Sequence, residues 1–150
     1  MRRNHLLNSI LTGIIIMALS GCIDKSEEAK RLIKSAKKNM AYSLNTDAIE
    51  DLDKAAVLDP ENFEIYYLRG SCYTNMKQFS RAMEDFNRAI ELRPDYAKAW
   101  ANRGYLWSYM DEDDKACADW IEAEDLGMEN ISDVTQHCRS RLRQQQHQQD

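Results

Sequence analysis

One spacing constrains this chain more than anything else in it: residues of matching character recur every 34 positions without a gap. Ala48, Ala82 and Ala116 form one column; Ala55, Ala89 and Ala123 form a second; Leu58, Leu92 and Leu126 form a third. Leu52, Phe86 and Trp120 give a column of large residues, and Ala36, Gly70 and Gly104 a column of small ones. Pro60 and Pro94 close two of the units. A period of this length marks an array in which a unit cannot bury its apolar face alone and must stack on its neighbours. The array uses most of the 150 residues, which leaves little chain for a second domain.

Within a unit the apolar spacing is helical. Ala48, Leu52 and Ala55 stand at i, i+4 and i+7, one face of a helix, and Tyr66, Gly70 and Tyr73 do the same on the helix before the next unit's Ala82. Small residues such as Gly70 and Ala82 let two antiparallel helices approach closely, with the large residues filling the space beside the contact. Pro60 and Pro94 follow helix ends, because proline cannot continue a helix. Asn62 and Asp95 then stand at expected N-caps, and Gly127 at a left-handed C-cap where the third unit has no proline. Five Gly and two Pro are too few for a turn-dense sandwich or barrel. The composition, 43% hydrophobic and 30% charged, is not that of a disordered chain. The fold class predicted is all-α. A net charge of −5 argues against general nucleic-acid binding.

The period and the small/large/Ala/aromatic/Ala/Pro pattern resemble the tetratricopeptide repeat, with units at 29–62, 63–96 and 97–130. The middle unit matches best, through Tyr66, Gly70, Tyr73, Ala82, Phe86, Ala89 and Pro94; the first has Ser35-Ala36 for the usual large-then-Gly pair and Asn39 for an aromatic. The resemblance implies a right-handed α-solenoid of three helical hairpins. A capping helix is expected over 131–143, with Ile131, Val134, Cys138 and Leu142 on its apolar face and Gln136, Arg139, Arg141 and Arg143 on a polar outer face. Residues 144–150 lack apolar side chains and read as a disordered tail.

Residues 1–21 read as an address. Arg2 and Arg3 precede an apolar run from Leu6 to Leu19, too short to span a bilayer comfortably, and small residues follow. Leu19-Ser20-Gly21-Cys22 resembles a bacterial lipobox, which implies acylation of Cys22 and attachment to a membrane by more than one lipid chain. Ile23 stands where an Asp commonly retains proteobacterial lipoproteins in the inner membrane, so the resemblance implies the outer membrane. Residues 22–28 are expected to form a short tether. Beyond residue 21 the net charge is −7, because the first 21 residues hold two cations and no acid.

Nothing in the pattern is catalytic. There is no phosphate loop, nucleophile elbow or His-Glu-x-x-His, and no cofactor is implied. Asp111-Glu112-Asp113-Asp114 lacks the glycine and distal Glu of a calcium loop and reads as a helix cap with macrodipole complementarity. His137 beside Cys138 is too little for zinc. In an exported chain, Cys72, Cys117 and Cys138 leave an odd number once Cys22 is lipidated. Cys117 and Cys138 fall on helices expected to pack together: they form a disulfide or remain two buried thiols, and Cys72 reads as a buried free thiol.

What remains is recognition. In tetratricopeptide arrays the first helix of each unit lines a concave groove that takes a peptide. That resemblance places Lys30, Ile33 and Lys37 at one end of a groove, Tyr67, Ser71, Thr74 and Asn75 in the middle, and Lys98, Asn102, Tyr105 and Tyr109 beyond. Tyrosines among short polar side chains suit a peptide partner, although some of them pack inside such arrays. Lys98 matches the set that grips a terminal carboxylate in the chaperone-tail form of the family, but Ile33 and Leu68 fall where polar members belong, and that ligand is not expected. The function predicted is a lipid-anchored adaptor in the cell envelope, resembling pilotins and assembly-machine adaptors at the level of fold. The alternative is a structural protein that self-associates head to tail, with Lys30, Lys34, Lys37 and Lys38 facing Asp111–Asp114 of the next copy.

Overall fold

The computed structural model describes residues 25–146. Residues 1–24, with the predicted address segment and Cys22, and the last four residues lie outside that range. Every element within it is a helix: α1 over 25–41, α2 Asn45–Leu58, α3 Phe63–Asn75, α4 Phe79–Leu92, α5 Ala97–Tyr109, α6 Asp113–Asp125 and α7 Ser132–Gln146. Neighbouring helices pack in sequence order, hairpin upon hairpin, and α7 closes the end against α6. This is an all-helical repeat solenoid. Among the described residues no helix is long and apolar enough to cross a membrane.

The small and large columns meet as the spacing requires, and their sizes are matched. A Cβ on Gly70 would lie 2.9 Å from Cε1 of Phe86, and one on Gly104 would lie 2.7 Å from Nε1 of Trp120. In the first unit the same two positions hold Ala36 and Leu52, both fully buried in one cluster. Where the large residue loses its ring, the small residue gains a methyl group. This explains why the first unit departs from the pattern of the other two and still packs. Trp120 carries a cost, since its buried Nε1 has no hydrogen-bond partner.

Three of the turns repeat at the same period. Ser43, Lys77 and Asp111 all take positive φ, near +58°, just past the first helix of each hairpin. In each turn the following residue donates back to the helix: Leu44 N–H to Asn39, Gln78 N–H to Tyr73 and Glu112 N–H to Trp107, at 2.8–3.0 Å. These are Schellman closures built without glycine. Gly127 makes the expected one after α6, at φ +90°, with Met128 N–H donating to Ala123 O. Asn62 is an N-cap, accepting from Glu64 N–H at 3.1 Å. Asp95 is not: Tyr96 takes the cap position without a side-chain bond, and the Asp95 carboxylate accepts from Arg93 instead. The Asp111–Asp114 run is likewise not a side-chain cap. Glu112 holds the cap position without a bond, leaving Asp113 and Asp114 in the first turn beside the positive end of the helix dipole.

Two boundaries differ from expectation. Residues 25–28, expected in the tether, are already helical, supported by i,i+3 pairs of Glu27 with Lys30 and Glu28 with Arg31 and by burial of Ala29. At the other end, α7 runs through Gln146, so 144–146 belong to the helix rather than to a disordered tail.

A polar ladder joins the hairpins. Arg69 on α3 makes a bidentate pair with Asp85 on α4, at 2.9 and 2.7 Å, and reaches back to Asp53 on α2 at 2.7 Å. One period later Arg103 grips Asp119 through two bonds of 2.7 Å and reaches back to Asn87 at 2.8 Å. Each arginine therefore closes its own hairpin and ties it to the one before. In the first unit Ser35 replaces the arginine, and Asn39 donates to Asp51 instead, at 3.1 Å. Burial pushes the Asp85 carboxyl up while Arg69 draws it down; Asp85 in turn keeps Arg69 firmly protonated. A second ladder holds the connections between hairpins, where Tyr66 Oη donates to Pro60 O at 2.9 Å and Trp100 Nε1 to Pro94 O at 2.8 Å.

The end of the array is clasped. Cys117 on α6 and Cys138 on α7 are bonded, with Cα atoms 5.3 Å apart, and Cys72 is a buried free thiol. Arg139 pairs with Glu124 and Asp125, and Arg141 with Asp113 and Asp114, so these two arginines turn inward onto α6 instead of forming an outer face. The exposed side of α7 carries Ser132, Asp133, Val134, Gln136 and His137.

Candidate functional site: a groove between α3 and α5

The first helices of the hairpins lie side by side, and the face they share is indented. Its central hollow, of about 320 Å³, is lined by Ser71, Thr74 and Asn75 from α3 and Asn102, Tyr105 and Tyr109 from α5. Six of the eleven predicted groove residues therefore meet in one place. The i, i+3, i+4 spacing on α3 and the i, i+3, i+7 spacing on α5 put each set on a single helix face. Tyr105 is 50% exposed and Tyr109 71% exposed, large values for aromatic residues with structure beneath them. Tyr109 stacks on Phe79 with ring centroids 5.3 Å apart, and Tyr105 meets Trp120 edge-on at 5.5 Å. Both phenols are thus held in place on their inner sides and open on their outer ones.

The polar groups of the hollow keep spare capacity. Ser71 Oγ donates to Tyr67 O and Thr74 Oγ1 to Gly70 O, each at 2.9 Å, so both hydroxyl oxygens can still accept. Asn75 Nδ2 donates to Asn45 at 3.2 Å, which leaves its carbonyl oxygen available. No lysine, arginine or carboxylate lines this hollow. Its chemistry is that of amide and hydroxyl groups between two aromatic faces, which matches a peptide backbone and its apolar side chains better than a free ion.

The other five predicted residues fall elsewhere. Tyr67 packs inside: its ring meets Tyr96 edge-on at 5.0 Å and lies 6.2 Å from Phe86, and it touches three of the core clusters. Burial raises its phenol above the usual value, with Asn102, Ser71 and Tyr96 acting against that. Tyr67 is a half-buried strut beside the hollow, next to the Ser71 and Asn102 that line it. Lys30, Ile33 and Lys37 line a separate hollow of about 410 Å³ with Lys34, Asn62 and Glu64, in which Lys37 pairs with Glu64 at 2.8 Å. Ile33 is only 5% exposed and acts as core. Lys98 belongs to a hollow of about 520 Å³ at the far end, with Asp95, Tyr96 and the turn at Gly127–Asn130.

Sequence reasoning missed Phe79 and Lys77. Both line a hollow of about 290 Å³ that shares Thr74, Asn75 and Tyr109 with the central one and carries it over the hairpin-turn edge. The positive φ of Lys77, one period from Ser43 and Asp111, is what turns the chain there. No His, Cys, Asp and Glu cluster able to hold a metal ion occurs among the described residues.

Residues 63–96 match the tetratricopeptide repeat family. No curated protein is similar enough in sequence to match. Among solved structures, the first tetratricopeptide domain of Spaghetti (RPAP3), bound to the HSP90 peptide SRMEEVD, is 25% identical; the match covers 78% of this chain and 94% of that one, with a TM-score of 0.71. MamA is 33% identical over 67% of this chain and 58% of its own, with a TM-score of 0.64. The Arabidopsis OM64 tetratricopeptide domain shares the fold at 20% identity and a TM-score of 0.71, over 81% of this chain and 98% of that one.

Proposed function

We propose that this tetratricopeptide-repeat chain is a lipid-anchored, non-enzymatic adaptor of a bacterial envelope, holding a segment of a protein partner between α3 and α5. The observation that carries the reading is the hollow itself: two exposed tyrosines, fixed from behind, flank amide and hydroxyl groups with unused hydrogen-bonding capacity and no ionised side chain. Tyrosine supplies contact area at low entropy cost, and short polar side chains satisfy backbone groups. The similarity to a domain with a peptide bound supports the same use of the face. The peptide need not resemble that one, because Ile33 and Leu68, at 5% and 8% exposure, are buried apolar residues where the carboxylate-gripping form places polar ones. The anchor rests on the lipobox-like Leu19–Cys22 and on the basic, apolar segment before it. Self-association by head-to-tail charge matching has less support, because Asp113 and Asp114 pair with Arg141 of the same chain and Lys37 pairs with Glu64.

Photo-crosslinking in the source cell from positions 105 and 109, with Glu84 on α4 as the control, tests the adaptor. One discrete partner captured from the groove and absent from Glu84 is the expected result, with recovery from position 109 falling roughly thirtyfold in an Asn102→Ala/Tyr105→Ala background, since a tyrosine anchor is worth about 2 kcal/mol. Crosslinks between copies of this chain, or products shared with Glu84, would overturn it in favour of the structural reading. Cys22→Ala should release the protein from the membrane fraction; retention there would remove the anchor.

A further inference from the structure

The negative charge of this chain is unevenly placed. Helix α1, residues 25–41, holds six cations against two carboxylates, a net of +4, whereas residues 42–150 hold twelve cations against twenty-two carboxylates, a net of −10. Five of the six α1 cations also share one side. Ala29, Ile33 and Ala36 are buried beneath the helix, and the opposite arc runs from Lys30 and Lys37 at the groove edge through Lys34 to Lys38 and Arg31 on the open end of the array. Glu27 and Glu28 engage Lys30 and Arg31 within the helix, while Lys34 and Lys38 make no ion pair among the described residues. The end of the solenoid formed by α1 is therefore a basic face on an acidic protein, and its first described residue is three positions past Cys22.

We propose that the α1 face bearing Arg31, Lys34 and Lys38 docks on anionic phospholipid headgroups and sets the solenoid end-on to the bilayer. This rests on the anchoring reading, which brings α1 to the surface. The charge asymmetry supplies the orientation, because a negatively charged membrane attracts α1 and repels everything after it. The groove between α3 and α5 is then held off the surface by the first hairpin, open to a partner. A uniformly acidic body would tumble on its tether.

The test uses the full-length lipidated chain reconstituted into vesicles of phosphatidylcholine, with or without phosphatidylglycerol. A fluorophore is placed at Ser35→Cys, on the exposed arc beside Arg31 and Lys38, or at Glu84→Cys, and nitroxide-headgroup lipid is the quencher. Ser35 should be quenched in the phosphatidylglycerol vesicles, several-fold less in phosphatidylcholine alone and less again in high salt, while Glu84 stays unquenched throughout. Arg31→Gln/Lys34→Gln/Lys38→Gln should weaken the docked state roughly a hundredfold, at about fivefold per cation. Failure to float with either vesicle would refute the anchor. Flotation with equal quenching at Ser35 and Glu84, or quenching indifferent to phosphatidylglycerol, would refute the docking while leaving the anchor in place. Quenching lost only when an acidic peptide is added would reassign the face to a protein ligand.

Discussion

Gly70 is where the close approach of two helices is decided by one atom. A methyl group there meets both the Phe86 ring, at 2.9 Å, and the Ala82 carbonyl, at 3.3 Å, and the carbonyl cannot step aside. Gly70→Ala should therefore destabilise the fold by about 1–3 kcal/mol in urea unfolding, the usual cost of overpacking. Gly70→Ala/Phe86→Leu recreates the Ala36–Leu52 pair of the first unit, and it should cost less than the two single changes added together. Strict additivity would mean that the size match is incidental. Cys72 gives a second residue-scale expectation. It is fully buried, and burial pushes its thiol up to about 11. At pH 8 the thiolate is then about one part in a thousand, so alkylation of the native protein should be negligible and become rapid in denaturant. Prompt labelling without denaturant would show that the middle hairpin opens.

At the scale of elements, the helices were largely legible in the sequence because burial follows a fixed period, and the Ala, Gly and ring columns are where burial is most demanding. The arginine ladder was just as periodic, at Arg69 and Arg103 with Asp85 and Asp119, and went unread because charged residues on a helix are usually solvated. Its signal was available: an Arg–Asp pair 16 residues apart, repeated after 34. The same prior assigned Arg139 and Arg141 to an outer face, when the carboxylates of α6 draw them inward. Within the groove, a helix-face argument could place Tyr105 and Tyr109 correctly, but could not tell that Tyr67 packs against Tyr96 and Phe86 instead of lining the same hollow, since that depends on the neighbouring hairpin. For α7 the expectation concerns its clasp. Reducing the Cys117–Cys138 bond, 21 residues apart in sequence, should lower stability by about 3 kcal/mol in the chain-entropy view. The hydrogen bond from Arg139 holds Glu124 below its ordinary value of 4.5. A carboxyl lowered by folding stabilises fully above its unfolded value and less as pH falls through the folded one. In the reduced protein, proteolysis of α7 should accelerate below pH 4.5 and not between 6 and 8.

For the molecule as a whole, the two arginines make neighbouring hairpins depend on each other. Trp100, Trp107 and Trp120 all lie in the third unit, so fluorescence follows that unit while circular dichroism follows every helix. In the unaltered protein the two urea transitions should coincide, because Arg103 ties α5 both to Asp119 and back to Asn87. In Arg103→Ala, which leaves Asp119 buried and unpaired, the fluorescence midpoint should fall first, for a loss of about 3–5 kcal/mol. Coincident transitions in the variant would mean that apolar stacking alone couples the units. The clasp at the far end has another consequence, for how such a chain can change over generations. Cys138 sits one period after Gly104, which puts α7 in register with the leading helix of each unit, and the disulfide bonds it to its predecessor. A tandem duplication of 34 residues placed upstream, at the Pro60 or Pro94 joint, meets the same packing on both sides and preserves the reading of every column. The same insertion after α6 separates the two cysteines and strips Asp113, Asp114, Glu124 and Asp125 of their arginines. Added units are thus accommodated upstream of α6 and not between α6 and α7.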